Sequence, residues 1–189
     1  IERTIYGIAP LLEDELTQDF RFGLVVIGHK REVGVNYING TMRLVTDMVP
    51  RELFLDHLYE AKRIAEGSTS GQEPSYDAIT WVVRNDFNLS FREDANKVIV
   101  VMTDEGGQSF TDPTTDETET GLLVENSPFI VHVYSERQYM WTFDAITRVQ
   151  SSFHALEDHP NTEEVFQSLR RIFLNICIGE ETPEEGSPP

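Results

Sequence analysis

Lys97-Val98-Ile99-Val100-Val101-Met102-Thr103-Asp104-Glu105-Gly106-Gly107 is the stretch on which the fold turns. Its first part is a nearly continuous apolar run rich in β-branched side chains. A strand with one wet face alternates apolar and polar residues. This one does not, so it reads as a strand covered on both faces, as in a parallel sheet. Polarity begins abruptly at Thr103, which puts Asp104 at the carboxyl end of the strand. In an open parallel sheet that end is where ligands sit, at a switch in strand order.

Outward from this strand, strands and helices alternate. Phe22 to Gly28 is a short apolar run closed by glycine and reads as a buried strand. Further strands are expected at about 41–46, from Phe129 to Tyr134 and from Ser152 to Leu156. An amphipathic helix over residues 1–18 carries Ile5, Ile8, Leu11, Leu12 and Leu16, with Pro10 as a kink or break. Pro50 is expected to open a second helix with Asp47 as a nearby cap, and with Leu53, Leu55, Leu58, Ile64 and Ala65 on its apolar face. Pro74 opens a third, burying Tyr76, Ile79, Trp81, Val82 and Val83. A fourth covers Gln138 to Val149, and the last runs from Asn161 or Thr162 to Ile176, where Glu163 and Glu164 favour its positive end. Trp81 and Trp141 both fall on helical patterns and are assigned to the core. Residues 85–94 and 103–120 read as loops, Gly106-Gly107 as a turn, and the length of the second loop marks it as functional or mobile. The alternation predicts an α/β fold: a doubly wound, mostly parallel sheet with helices on both faces. Residues 1–178 form one domain in this reading, and 179–189, GEETPEEGSPP, an acidic Pro/Gly-rich linker or tail.

Composition narrows the function. The 189 residues carry 33 acidic and 15 basic side chains, a net charge of -18. Nucleic acid and anionic membrane surfaces both need a basic footprint, so both are excluded as partners. Cys177 is the single cysteine, which rules out an internal disulfide and a cysteine-rich zinc site. No apolar stretch is long enough to span a bilayer. The sequons Asn39-Gly40-Thr41 and Asn88-Leu89-Ser90 favour an extracellular or cell-surface setting, with a periplasmic one as the alternative. No Gly-x-Ser-x-Gly elbow, phosphate loop or Gly-x-Gly-x-x-Gly fingerprint occurs, so the chain does not read as an enzyme. His29, His57, His132, His154 and His159 lack metal-ligand spacing. His132 and His154 fall in strands and read as structural, whereas His29 follows a strand and is a candidate for the ligand-binding edge. Asp112, Asp116, Glu117 and Glu119 form an acidic cluster, read either as a solvated loop or as a seat for Ca²⁺.

Two loops then carry a resemblance. Thr103-Asp104, followed by Glu105 and Gly106, resembles the Thr-Asp-Gly that ends the fourth strand of von Willebrand factor type A domains. Gly71-Gln72-Glu73, before Pro74, resembles their Gly-x-Thr loop with Glu in the Thr position. Glu73 with Asp77-Ala78-Ile79 is similar to the integrin β-subunit version. Arg21 to Val26 resembles the family's second strand, and the likeness runs over about Ile1 to Ile178. It implies a metal-ion-dependent adhesion site in which Asp104 and Glu73 hold Mg²⁺ or Mn²⁺, with Ser70, Glu105 and His29 toward the ligand. The implied partner is a protein that presents an acidic side chain. The implied role is a ligand-binding or adhesion module of a larger surface or secreted protein. The alternative is a metal-independent interaction scaffold of the same fold; a metal-dependent hydrolase with Asp104 as ligand ranks below both. The family's Asp-x-Ser-x-Ser motif does not occur in the sequence. The resemblance places Ile1 already in the first helix, so the central strand is expected from another domain or chain, or from a substitute segment.

Overall fold

The computed structural model describes residues 20–28, 42–64, 72–112, 114–148, 151–156 and 167. In chain order the elements are β1 (Arg21–Ile27), β2 (Met42–Pro50), α1 (Arg51–Ile64), β3 (Gln72–Glu73), α2 (Ser75–Arg84), β4 (Lys97–Met102), β5 (Gly106–Gly107), α3 (Glu117–Glu125), β6 (Phe129–Glu136), a 3-10 helix (Arg137–Thr142) and β7 (Ser152–Leu156). All of them belong to one compact unit, Arg21–His159; a second unit comprises Ile1–Phe20 and Pro160–Pro189. The expected helix over 1–18, the expected helix over 161–176 apart from helical Gln167, the loop 29–39, Cys177 and the tail 179–189 lie outside the described residues. Among the described residues no helix is long and apolar enough to cross a membrane.

The protein is a mixed α/β structure whose main sheet has three parallel strands in the order β4-β6-β7. Ile99 pairs with Val131 and Val101 with Val133, and Val133 pairs in turn with Phe153. These side chains share one face. Tyr76 and Ile79 of α2, Val124 of α3, and Phe143 and Ile146 beyond the 3-10 helix cover it. Val131 and Val133 are completely buried. Each contributes about 1.5–3 kcal/mol relative to an exposed side chain. β6 is therefore the central strand of this sheet. β4, expected to be covered on both faces, keeps partial exposure at every side chain but Val101, and among the described residues nothing pairs with its other edge.

Residues 21–27 depart from expectation more sharply. They form no part of the parallel sheet but pair antiparallel with β2, with register shifts between Phe22 and Leu24 and between Leu24 and Val25. Val26 is buried, Arg21 and Gly23 are exposed, and the other four residues are half-buried. Val25 and Ile27, which alternate with Val26 along the strand, pack against a second core of Met42, Phe87 and Leu89. α2 serves both cores: Tyr76 and Ile79 enter the first, while Trp81 and Val82 pack on the second. Trp81, Val82 and Val83 are half-buried rather than buried.

Several boundaries shift for identifiable reasons. Pro50 closes β2 and α1 begins at Arg51. Asp47 caps no helix, because Oδ1 accepts from the N–H of Met48 (2.6 Å) and of Ser90 (2.7 Å), and Oδ2 from the Ser90 hydroxyl (2.6 Å). The buried stripe of α1 is Phe54, Leu58 and Ala61, spaced four and three residues apart; Leu53 is exposed and Leu55 half-buried. Phe22 stacks on Phe54 with ring centroids 4.8 Å apart.

The expected loop 103–120 contains structure. Gly106-Gly107 is extended rather than a turn and pairs in parallel with Gln72-Glu73. A Cβ on Gly107 would lie 2.5 Å from the Tyr76 ring, so only glycine permits this approach. α3 begins at Glu117, where the Asp116 carboxylate accepts from the N–H of Glu119 (2.9 Å). The helix expected over 138–149 is a 3-10 helix that stops at Thr142. There the Thr142 hydroxyl donates to the Tyr139 carbonyl (2.8 Å) and accepts from the N–H of Gly107 (3.1 Å). Such side-chain bonds compete with helix continuation. Trp141, assigned to the core from sequence, is 69% exposed on this short element.

Candidate cation site at the sheet rim

Thr103 is the first residue past β4, and its N–H still donates to the Tyr134 carbonyl of β6 (3.0 Å). The ladder thus fixes where its side chain begins. Its hydroxyl donates to Oε2 of Glu73 (2.7 Å) and accepts from the N–H of Glu105 (3.1 Å). Glu73 is held from its own side by β3: its carbonyl accepts from Gln108 (2.9 Å), next to the short β3–β5 pairing. Two loops far apart in sequence therefore meet at the carboxyl end of β4. The Glu105 carbonyl also accepts from the Ser135 hydroxyl at the end of β6 (3.4 Å).

Electrostatics sets this rim apart. Glu73 is 7% exposed. Its carboxyl is pushed up to about 7, chiefly by burial; the negative charges of Asp104 and Glu105 add to the rise, and the Thr103 hydrogen bond opposes it. Asp104 is exposed and Glu105 half-buried. Glu73, Asp104 and Glu105, all singled out from sequence, are thus brought into one neighbourhood. Ser70 and His29 lie outside the described residues. Among the described residues no three His, Cys, Asp or Glu side chains are gathered around one point. The rim supplies one buried carboxyl bonded to a hydroxyl, with two carboxylates beside it. Such hard oxygen donors suit Mg²⁺ or Mn²⁺, whose charge would offset both the burial and the lesser repulsion that raise the Glu73 pKa.

Asp77 was quoted only as part of a motif, yet it organises the next loop. It is 2% exposed. Its carboxylate accepts from the Ser109 hydroxyl (2.5 Å), the Phe110 N–H (2.7 Å), and the hydroxyl (2.6 Å) and N–H (3.2 Å) of Thr111. α2 thereby fixes the chain just beyond β5. The only advance signal was a charged residue on the apolar side of a helix.

The acidic cluster proposed for Ca²⁺ is occupied with local bonding. Asp112 accepts from the N–H (2.9 Å) and hydroxyl (2.7 Å) of Thr114, and the hydroxyl bond is the main cause that holds its carboxyl below the usual range. Asp116 caps α3, Glu117 accepts from the N–H of Ala145, and Glu119 is exposed. Three of the four carboxylates thus serve turns, caps and packing.

No family model matches this chain, and no curated protein matches it.

Proposed function

We propose that this chain is a cation-dependent ligand-binding module of the von Willebrand factor type A kind. In this reading β4, β6 and β7 form one part of an open, doubly wound sheet. Its partner is a protein that presents an acidic side chain, and its setting is the cell surface or the extracellular space. The observation that carries the reading is the buried Glu73 at the carboxyl end of β4, bonded to Thr103 and lying in the field of Asp104 and Glu105. Glu73 and Asp104 would hold Mg²⁺ or Mn²⁺, with Glu105 flanking. The ion would supply an open position for a partner's carboxylate. The chain's own residues set the seat: Thr103 orients Glu73, and the β3–β5 pairing and Asp77 hold the two loops.

The unpaired edge of β4 bears on the same reading. Among the described residues no strand pairs with that edge, and a parallel strand from another segment or chain pairing there would bring further oxygen donors to this rim at its carboxyl end. That no three acidic, imidazole or thiol side chains gather around one point among the described residues favours a second reading, a metal-independent interaction scaffold. Calorimetric titration of Mg²⁺ and Mn²⁺ separates the two. The first reading expects saturable binding that Asp104→Ala abolishes. Absence of binding by the wild-type chain, both alone and with the β4 edge filled, leaves only the scaffold.

A further inference from the structure

We propose that β6 and β7 carry a second cation site, for an imidazole-preferring transition metal such as Zn²⁺, on the sheet face opposite Val131 and Val133. His132 and Tyr134 alternate with those valines along β6, so their side chains leave the other face. Ser152 and His154 do the same on β7, where Ser152 is the register partner of His132 and His154 that of Tyr134. The result is a three-atom cluster. His132 Nδ1 lies 2.6 Å from Ser152 Oγ, His154 Nε2 lies 2.7 Å from the same oxygen, and the two ring nitrogens are 3.4 Å apart.

The nitrogen separation is what points to a metal. Two imidazole nitrogens about 2.0–2.1 Å from one tetrahedral Zn²⁺ lie about 3.3–3.4 Å from each other. The strands already hold the pair at this bite. The Tyr134 ring stacks on His154 with centroids 4.5 Å apart and planes 10° from parallel, which limits rotation of that imidazole. Donors held on paired strands keep their geometry better than donors on loops. The Ser152 hydroxyl has one proton, so it donates to one ring nitrogen and accepts N–H from the other. To bind an ion, the protonated nitrogen passes its proton through solvent to the other nitrogen of its own ring, with no net release. Both facing nitrogens then offer lone pairs; among the described residues no third His, Cys, Asp or Glu joins them, so waters, with or without Ser152 Oγ, fill the remaining positions. Imidazole selects Zn²⁺, Cu²⁺ or Ni²⁺, whereas the carboxylates at the rim select Mg²⁺ or Mn²⁺, so the two sites are chemically distinct.

The test is Zn²⁺ titration of the whole chain, with Co²⁺ absorption as a second readout because tetrahedral nitrogen ligation gives it visible bands. One Zn²⁺ should bind, indifferent to millimolar Mg²⁺ and to Glu73→Gln. His154→Gln should weaken it by about tenfold or more. Ser152→Ala leaves both imidazoles in place and should keep binding within a few-fold, which guards against misreading a folding defect. Equal Zn²⁺ binding by the wild type and by a chain carrying both His132→Gln and His154→Gln overturns the proposal. So does the absence of Zn²⁺ binding by the wild type.

Discussion

Glu73 concentrates the physics of the rim in one side chain. Its folded pKa of about 7 lies above the ordinary 4.5 of a glutamate, so the folded state favours the protonated form. The sign follows from linkage: its stabilising contribution is complete below about pH 4.5 and is lost as pH rises through about 7. Urea unfolding of the metal-free chain at pH 5 and pH 8 should therefore show a larger loss on alkalinisation for wild type than for Glu73→Gln. Parallel losses in the two proteins would count against the burial argument. Asp77 makes the complementary case, since Asp77→Ala leaves several donors at residues 109–111 without their acceptor. We expect a destabilisation of about 2–4 kcal/mol in chemical denaturation, and a change under about 0.5 kcal/mol would refute its organising role. Asp104 and Glu73 were legible beforehand, because the end of an apolar run and the entry to a helix mark positions on a rim. Thr103's bond to Glu73 was not, since it joins residues 30 apart and depends on how β3 meets the end of β4.

Elements with strong patterns were readable, and those held by small or polar contacts were not. β4, β6 and β7 stand where their apolar runs put them, and α2 follows Pro74. α3 escaped notice because the residues it buries are Thr120, Gly121 and Val124, which make no apolar stripe. Its start was signalled by the Asp116-to-Glu119 spacing, a capping pattern hidden in an acidic run. Gly121 tests how that helix is seated. By propensity alone, Gly121→Ala would stabilise a helix by about 1 kcal/mol. Here the added Cβ would lie 2.7 Å from the Ala145 carbonyl oxygen and 2.8 Å from its carbon, and backbone cannot swing aside. The substitution should lower the melting temperature, and a rise would mean that α3 does not pack on the 143–146 turn. The short 3-10 helix was misread for a related reason: Thr142 bonds to Gly107, a partner that no local pattern reveals.

At the scale of the molecule, alternation of strand and helix predicted an α/β fold and a parallel sheet, and both are present. The antiparallel β1–β2 pair was not foreseen, because one short apolar run reads alike whether its partner runs parallel or antiparallel. Position in the sheet should appear in hydrogen exchange. The Thr103 bond to Tyr134 sets the alternation on β4, so Ile99 and Val101 turn their amides to β6, while Val98, Val100 and Met102 turn theirs to the open edge. Amides of the second group should exchange faster than those of the first, and a strand added at that edge should slow them. Equal protection in the chain alone would mean that the edge is already paired.

If Glu73 and the loop after β4 form one cation seat, paramagnetic broadening by Mn²⁺ in amide spectra will locate it. Substoichiometric Mn²⁺ should erase the signals of Glu73, Thr103, Asp104 and Glu105 before any others, and Asp104→Ala should restore them. Broadening that spreads evenly over the acidic surface, or that centres on residues 112–119, would contradict a seat there.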